Sequence, residues 1–347
     1  MLSYQHDYHA GNFADVLKHV VLIQVLRHLL AKEKPILYVD THAGSGYYAL
    51  AGTMAQRLNE SQLGIQRLRA HCAQSPHTLP SAITDYVSLI DVFNGFFNPV
   101  NTHHKPLTHY PGSPAIALTL LRSQDQLQLT EQHPQAFAAL EAQLLPVFQR
   151  PPNAYPLPGA SDNTVLRHAL QRKPSALPRV FCQKADGYHQ VKAVLPPKTG
   201  RACVLIDPSY EERMDDERVV AAIGSAHQRC AHAVCLLWYP VAQRARITRL
   251  ERALQRRGAP NTVLYEFTVR QQPAHHEQGM TGTGMIVVNP PWGLTDKMRH
   301  ALPFLSSVLR QDSSTIGTVE NTPRWRIQTV TKESSSTSPS RHTMRRR

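Results

Sequence analysis

The chain has 347 residues, a formal net charge of +13 and 41% hydrophobic residues, and its apolar stretches are too short to cross a membrane. It is long enough for one large α/β core or two smaller ones. The start lacks the features of a secretion signal, and the five cysteines form no Cys-x-x-Cys pair. We therefore expect a cytoplasmic protein with free thiols and no membrane partner.

The positive charge is spread over two parts of the chain. Residues 321–347 contain seven basic side chains and one acidic side chain, which gives +6, and the rest of the chain carries +7. Such an excess attracts the phosphate backbone of a nucleic acid without selecting a sequence. A charged surface that only aids solubility is the other interpretation, and charge alone leaves both open.

The first predicted elements are a helix and a strand. Apolar residues recur at helical spacing over residues 13–33, where Asn12 is placed as the N-cap and Asp15 falls in the first turn. Residues 36–40 then predict a strand that runs into the turn Asp40-Thr41-His42-Ala43-Gly44-Ser45-Gly46. A glycine turn after a strand lets the backbone approach a ligand closely.

Strand-like runs alternate with helical stretches along the rest of the chain. With the first strand they number seven and cover residues 36–40, 127–130, 179–182, 203–206, 234–238, 262–267 and 285–288. This alternation predicts a doubly wound α/β fold with a mostly parallel sheet. Only the connection between the last two strands looks too short for a helix. We therefore expect the last strand to be antiparallel, as in the methyltransferase variant of the Rossmann fold.

Three segments depart from this alternation. Residues 52–109 are polar and helical with several prolines, which predicts a helical insertion subdomain. Residues 150–178 contain six prolines and predict an extended loop. Residues 321–347 are basic and rich in Ser and Thr, which is typical of a disordered tail. We therefore expect a single domain over residues 1–320.

Acidic residues follow two of the predicted strands. The pattern Gly44-x-Gly46-x-x-Ala49 also satisfies a dinucleotide-binding fingerprint, which needs an acid about 20 residues downstream at the end of the second strand. Only Glu60, in a polar helical stretch, lies there, and the next strand ends much later at Glu131. Glu131 could accept both ribose hydroxyls of S-adenosylmethionine or be a solvated loop acid. Asp186-Gly187, after the third strand, could accept from the adenine amine of that cofactor.

The fourth strand is followed by Asp207-Pro208-Ser209-Tyr210. The Asp207 carboxylate and the Pro208 carbonyl could accept both hydrogens of a conjugated amine such as adenine N6 and aim its lone pair at a methyl donor. Tyr210 could hold the base by stacking. Asp207 could then take the proton released after transfer. A turn that simply begins with Asp and Pro is the alternative.

A second copy of this pattern, Asn289-Pro290-Pro291-Trp292, follows the last predicted strand. If that strand is antiparallel, it ends at the sheet edge opposite the other strand ends. We therefore expect Asn289 to be structural rather than catalytic.

Histidine is abundant, with nineteen residues, and invites a metal hypothesis. The pairs His6/His9, His103/His104 and His275/His276 lack cysteines or carboxylates at ligand spacing. We expect no metal.

Several further segments are distinctive when taken together. They are Leu2-Ser3-Tyr4-x-His6-x-x-His9-Ala10-Gly11-Asn12-x-Ala14-Asp15-Val16-Leu17-Lys18-His19, Tyr110-Pro111-Gly112-Ser113-Pro114, Leu129-Thr130-Glu131-x-His133-Pro134, Lys184-Ala185-Asp186-Gly187, Trp238-Tyr239-Pro240 and Gly284-Met285-Ile286-Val287-x-Asn289-Pro290-Pro291-Trp292. With the glycine turn, they resemble the ribosomal RNA large-subunit methyltransferase J family from residue 2 to about residue 305. The resemblance implies methylation of N6 of one adenine, position 2030, in 23S ribosomal RNA. It also implies S-adenosylmethionine as the cofactor and RNA that is free or only partly assembled as the substrate.

The resemblance also implies roles for individual residues. The implied cofactor contacts are His19, His42, Ser113, Glu131, Asp186, Gly187 and Asp207. Asp207 is also the implied catalytic acceptor, with Pro208 and Tyr210 beside the base. Residues 1–12 are expected to form a flap, and Tyr4, His6 and Lys18 are implied to close over the target adenine. We expect the protein to act as a monomer.

The chain departs from the family at Ser209, where the family has proline. We call the segment Asp207-Pro208-Ser209-Tyr210 the acceptor loop and expect it to be less rigid than in the family. The segment 150–178 and the basic tail have no counterpart in the resemblance. Three other functions stay open at this point: methylation of DNA adenine, methylation of a protein glutamine amide, and RNA binding without catalysis.

Overall fold

The structure is a computed structural model that describes residues 6–97, 107–149, 177–212, 214–257, 261–270, 279–312 and 324–330. The α-helices in these ranges are α1 (Phe13–Leu30), α2 (Thr53–Leu58), α3 (Arg67–Gln74), α4 (Ser81–Gly95), α5 (Ser113–Leu120), α6 (Pro134–Phe148), α7 (Gly187–Val194), α8 (Asp215–Arg229), α9 (Arg244–Arg256) and α10 (Leu294–Val308). The strands are β1 (Leu37–Asp40), β2 (Tyr47–Ala49), β3 (His109–Pro111), β4 (Gln126–Glu131), β5 (Arg179–Lys184), β6 (Ala202–Ile206), β7 (Val234–Val241), β8 (Thr262–Thr268), β9 (Gly282–Val288) and β10 (Trp325–Val330). Short helical turns cover His6–Tyr8, Gln62–Gln66 and Pro76–Thr78.

Eight strands form one sheet in the order β10-β8-β9-β7-β6-β1-β4-β5. The neighbours from β7 to β5 are parallel, whereas β9 is antiparallel to both β7 and β8. The predicted fold class is therefore confirmed, including the antiparallel strand at residues 285–288, which lies in β9, although the sheet has eight strands rather than the predicted seven. Strands β2 and β3 pair antiparallel outside this sheet, and the sequence analysis did not predict them.

Helix α1 begins where the sequence predicted. The Asn12 side chain accepts hydrogen bonds from the backbone N–H groups of Ala14 and Asp15, so it caps the helix. The helix ends at Leu30 rather than at residue 33. Almost all of its side chains are buried because it packs against the sheet on one side and against α4 and α5 on the other.

Apolar side chains fill two cores, one on each face of the sheet. The larger core contains residues of α1, α4, α5, α6 and α10, and the other contains residues of α7, α8 and α9. This is the three-layer arrangement of a doubly wound fold, which leaves the carboxyl ends of the parallel strands accessible at one edge. No helix in the described ranges is both long and apolar enough to span a bilayer.

The expectation of disorder over residues 321–347 is wrong for strand β10. Residues Trp325–Val330 pair antiparallel with β8. The Arg326 guanidinium donates to Glu266 and Glu251, both buried, and Glu266 also pairs with Arg244, so the strand adds a positive charge to a buried network. Residues 331–347 and residues 150–176 of the predicted proline-rich loop lie outside the described residues.

Candidate active site

A cavity of about 390 Å³ lies at the carboxyl edge of strands β1, β4 and β6. Its size is typical of sites that hold a small molecule. The wall includes eight residues that the sequence analysis selected: His6, Lys18, His19, His42, Ser113, Glu131, Asp207 and Pro208. Ligands of open α/β sheets bind at this edge, so the structure brings most of the predicted residues to the expected place.

The glycine turn after β1 is held by Glu131 at the end of β4. Gly44 has a φ of +59°, and its N–H donates to Oε2 of Glu131 at 2.8 Å. The N–H of His133 donates to Oε1 of Glu131 at 2.7 Å. Both carboxylate oxygens therefore bind backbone amides, which fixes the turn and leaves further lone pairs on the cavity side.

Two histidines on the wall are held by neighbouring side chains. His19 is buried, and its Nδ1 atom lies 2.8 Å from the Tyr110 hydroxyl. Burial lowers the pKa of His19 to about 3, so the ring is neutral at physiological pH. Its Nε2 atom is buried without a hydrogen-bond partner among the described residues. The Nδ1 atom of His42 lies 2.7 Å from Oγ1 of Thr41, and burial lowers the pKa of His42.

Ser113 stands in the first turn of α5, beside a buried acid at the end of β1. That acid, Asp40, is fully buried, accepts from the Tyr38 hydroxyl at 2.8 Å and is hydrogen-bonded with Ser113. Burial raises the pKa of Asp40 to about 6. Asp40 does not line the cavity itself. Its hydrogen bond with Ser113, which does line the cavity, supports the wall from behind.

The acceptor loop after β6 is joined to helix α1 by an ion pair. Nζ of Lys18 lies 2.6 Å from Oδ2 of Asp207 and 2.8 Å from Oδ1 of Asp15. Oδ2 of Asp15 accepts from Nε2 of His6 at 2.9 Å. Burial alone would lower the pKa of Lys18, but the two carboxylates outweigh it and hold this pKa well above its usual range. The lysine is therefore a permanent cation between two acids.

Three predicted site residues that the structure describes, Asp186, Gly187 and Tyr210, are not among the residues that line the wall. Asp186 caps α7 by accepting from the backbone N–H of Tyr188, and it pairs with Arg218. Gly187 packs against the turn after β1, where a Cβ atom would lie 1.9 Å from the carbonyl oxygen of Thr41. The Asp186 side chain and the Gly187 backbone therefore support the wall from behind, and Tyr4 lies outside the described residues.

The placement of Tyr210 differs from the predicted stacking role. Its hydroxyl donates to the backbone carbonyl of Trp238 at 2.8 Å, and the Arg246 guanidinium lies 4.8 Å from its ring centre. The backbone of Tyr210 is left-handed, with a φ of +57°, and the residue is not among those that line the cavity. In this arrangement the residue anchors the acceptor loop rather than presenting a stacking face to the cavity.

The second copy of the acceptor pattern lies at the other edge of the sheet. Asn289 follows the antiparallel strand β9, and its Nδ2 atom donates to the carbonyl oxygens of Ala231 and Ala233, just before β7 begins. Asn289 is therefore structural, as the sequence analysis predicted.

The wall also includes residues that the sequence analysis did not select as site residues. The clearest are Asp15, Tyr48, Tyr188, Arg218 and Trp238. The Arg218 guanidinium lies 4.5 Å from the centre of the Tyr188 ring, which makes a cation–π pair beside Asp186. Tyr188 lies two residues after Asp186, and this proximity was the one local signal that pointed to it.

The described residues contain no group of three or more His, Cys, Asp or Glu side chains that could hold a metal ion. Three of the histidines on the wall bond to protein groups: His19 to Tyr110, His42 to Thr41 and His6 to Asp15.

The sheet order, with an antiparallel strand between β7 and β8, and the cavity at the carboxyl edge define a Rossmann-like methyltransferase. The family model for "Ribosomal RNA large subunit methyltransferase D, RlmJ" matches residues 33–149 and 159–324. The chain belongs to this family, in agreement with the resemblance found in the sequence.

Curated relatives support this assignment. Ribosomal RNA large subunit methyltransferase J of Escherichia coli K12 is 40% identical over 309 residues, which cover 89% of this chain and 94% of the relative. The protein of the same name from Haemophilus influenzae is 37% identical over 333 residues, which cover 96% of this chain and all of the relative. A solved structure of a Legionella pneumophila protein has a TM-score of 0.69 and 28% identity, and the match covers 92% of this chain and 98% of that protein.

Proposed function

We propose that this protein methylates N6 of an adenine in 23S ribosomal RNA, with S-adenosylmethionine as the donor. By the family resemblance the target is adenine 2030, on RNA that is free or only partly assembled. One observation carries the proposal. The Asp207 carboxylate, directly after β6, shares one cavity with the wall formed by His19, His42 and Ser113.

The wall around the glycine turn fits the proposed donor. The buried Nε2 atom of His19 has no partner among the described residues, so it is available to a ligand in the cavity. His42, Ser113 and Glu131 line the same side, and we assign these four residues to the donor. When bound, S-adenosylmethionine supplies an electrophilic methyl group.

Asp207 and Pro208 are assigned to the target amine. The N6 lone pair of adenine is delocalised into the ring, so the nitrogen becomes a better nucleophile when acceptors hold both of its hydrogens. Lys18 occupies Oδ2 of Asp207, which leaves Oδ1 to accept one hydrogen while the Pro208 carbonyl accepts the other. Asp207 then accepts the proton that the methylated nitrogen gives up.

The N-terminal segment and the charge of the chain support an RNA partner. His6 and Lys18 lie on the wall of the cavity, where Lys18 contacts Asp207, and we assign Tyr4, His6 and Lys18 to the target nucleotide. The chain carries +7 outside residues 321–347, which favours a polyanion. Both curated relatives are named for ribosomal RNA methylation.

A transfer assay on purified full-length protein tests the proposal. With isotopically labelled S-adenosylmethionine, we expect label in protein-free 23S RNA and none in 16S RNA, duplex DNA or a release factor. Mass spectrometry of the digested RNA should find N6-methyladenosine at a single position. Label in the DNA or in the release factor would instead identify one of the other amine substrates.

Two variants separate catalysis from RNA binding. Asp207→Asn should lower kcat by about 10³-fold while the protein still binds 23S RNA. The matched control is Asn289→Gly, which alters the second copy of the pattern and tolerates the left-handed backbone at that position. The control should keep its kcat per folded molecule. RNA binding without any transfer by the unmodified chain would show a non-catalytic RNA-binding protein.

A further inference from the structure

Asp15 is a carboxylate at the base of the cavity with only 1% of its side chain exposed. It accepts hydrogen bonds from Nε2 of His6 at 2.9 Å and from the N–H of Gly11 at 2.8 Å. Burial alone would raise the pKa of Asp15, but its interactions with the His6 and Lys18 side chains hold this pKa well below its usual range. Asp15 is therefore an anion that depends on these neighbours.

Lys18 depends on Asp15 in turn. Its side chain is only 6% exposed, and its ammonium lies 2.8 Å from Asp15 and 2.6 Å from Asp207. The lysine stem is long and has many rotamers, so one ion pair alone would leave the ammonium several positions within the cavity. The second carboxylate removes this freedom, because the ammonium must lie between two fixed acids.

We propose that Asp15 is a positioning residue that couples the N-terminal segment to the acceptor carboxylate. Asp15 binds His6 and Gly11 on one side and Lys18 on the other. The position of the Lys18 ammonium against Asp207 therefore depends on the position of residues 6–11. Asp15 touches neither substrate nor donor in this role. The inference rests on the proposed function, because it assigns the consequence of this coupling to methyl transfer.

A double-mutant cycle tests the coupling. Asp15→Asn keeps the shape and removes the charge, and we expect it to lower kcat by about tenfold with little change in KM for S-adenosylmethionine. In a Lys18→Met background, Asp15→Asn should lower kcat by less than about twofold, because the ammonium that Asp15 positions is already absent. Losses that multiply in the double variant would overturn the proposal, as would an unchanged kcat in Asp15→Asn.

The matched control is Asp85→Asn. Asp85 is also buried and also contacts α1, where it accepts from Gln24 and pairs with Arg27, but it is not on the cavity wall. This variant should lose stability while its kcat per folded molecule stays the same. Equal losses of kcat in Asp85→Asn and Asp15→Asn would show that the effect of Asp15 is only structural.

Hydrogen exchange supplies a readout that needs no methyl transfer. The N–H of Gly11 should exchange about tenfold faster in Asp15→Asn and at the normal rate in Lys18→Met. Unchanged protection in Asp15→Asn would contradict the coupling even if the enzyme is active. If the unmodified chain methylates no RNA, the proposed function fails, and the exchange data still decide whether Asp15 holds the segment.

A second cycle keeps the proposal testable if Asp15→Asn does not fold. His6→Ala and Lys18→Met should then show overlapping losses of kcat, because His6 acts on Lys18 through the Asp15 carboxylate that both side chains contact. Independent losses would overturn the coupling.

Discussion

Lys18 on helix α1 and Asp207 after strand β6 are 189 residues apart in the chain, and Nζ of the lysine lies 2.6 Å from Oδ2 of the aspartate. The contact decides which oxygen of Asp207 is available. The Lys18 ammonium donates to Oδ2 of Asp207, and this contact restricts the rotation of the carboxylate. Because the pKa of Lys18 is held well above its usual range, the contact persists throughout the neutral and mildly alkaline range.

Lys18→Met should therefore lower kcat by about 10- to 100-fold, because the acceptor carboxylate loses its charged partner and its orientation. The affinity for S-adenosylmethionine, measured by calorimetry, should change by less than about threefold because His19, His42 and Ser113 are untouched. Lys297→Met is the matched control. Lys297 donates to Gln24 on the same helix α1 but is not on the cavity wall. A kcat equal to that of the unmodified chain in Lys18→Met would contradict the assigned role.

The buried acid Asp40 predicts a pH dependence of stability. Its pKa is about 6 in the folded protein and 3.8 in the reference state, because burial disfavours the charged form. Between these values the unfolded chain has released the proton and the folded protein has not. Ionisation of Asp40 therefore costs stability as pH rises from about 4 to 6, by on the order of 3 kcal/mol in total.

Asp40→Asn removes this ionisation. Its free energy of unfolding, relative to that of the unmodified chain, should therefore increase as pH rises through the same range. Urea unfolding of both proteins at pH 4, 5, 6 and 7 measures the difference, and comparing the two at each pH cancels the contribution of other titrating groups. A difference in the free energy of unfolding that is the same at all four pH values would show that Asp40 does not titrate in this range.

Gly187 should tolerate no side chain. A Cβ atom there would lie 1.9 Å from the carbonyl oxygen of Thr41, which is backbone of the turn after β1 and cannot move aside alone. Gly187→Ala should lower the free energy of unfolding by roughly 1–3 kcal/mol and weaken the binding of S-adenosylmethionine, because it displaces this turn.

The control for this change is Gly224→Ala in helix α8. Its new Cβ atom would meet only the flexible side chain of Arg257, at 3.6 Å. This variant should be as stable as the unmodified chain or gain about 0.5–1 kcal/mol, since alanine favours a helix more than glycine does. Donor binding that is equally tight in both glycine variants would argue against a role of the Gly187 contact in shaping the wall.

The placement of Asp207 was predictable because local patterns identify parallel strands and the carboxyl ends of such strands gather at one edge. The partners of each site residue were not predictable. Asp15 was assigned only to the first turn of a helix, yet it binds His6 and Lys18. Such contacts follow from how the N-terminal segment folds back over α1, and periodicity carries no information about that.

Strand β10 shows the same limit in the fold. Its segment is flanked by Ser, Thr and basic residues, so local composition favoured disorder. Its pairing depends on Glu251 and Glu266, which lie 75 and 60 residues before Arg326. The sequence suggests that the charge of Arg326 is solvated, whereas the structure places it in a buried network with Glu251 and Glu266.

Arg326 should therefore contribute strongly to stability. It donates to Oε1 of Glu251 at 2.7 Å and to Oε1 of Glu266 at 3.1 Å, and Glu266 is only 3% exposed. Arg326→Gln would leave the buried Glu251 without its arginine and Glu266 with Arg244 alone, which should lower the free energy of unfolding by about 3 kcal/mol.

The matched control is Arg299→Gln, which removes an exposed pair with Asp296 on helix α10 and should change stability by less than about 0.5 kcal/mol. Thermal and urea unfolding of both variants at pH 7 provide the comparison. Since Glu266 becomes protonated in acid, the deficit of Arg326→Gln should shrink as pH falls through the depressed pKa of Glu266. Equal stability of the two variants at pH 7 would mean that β10 is not held by this network.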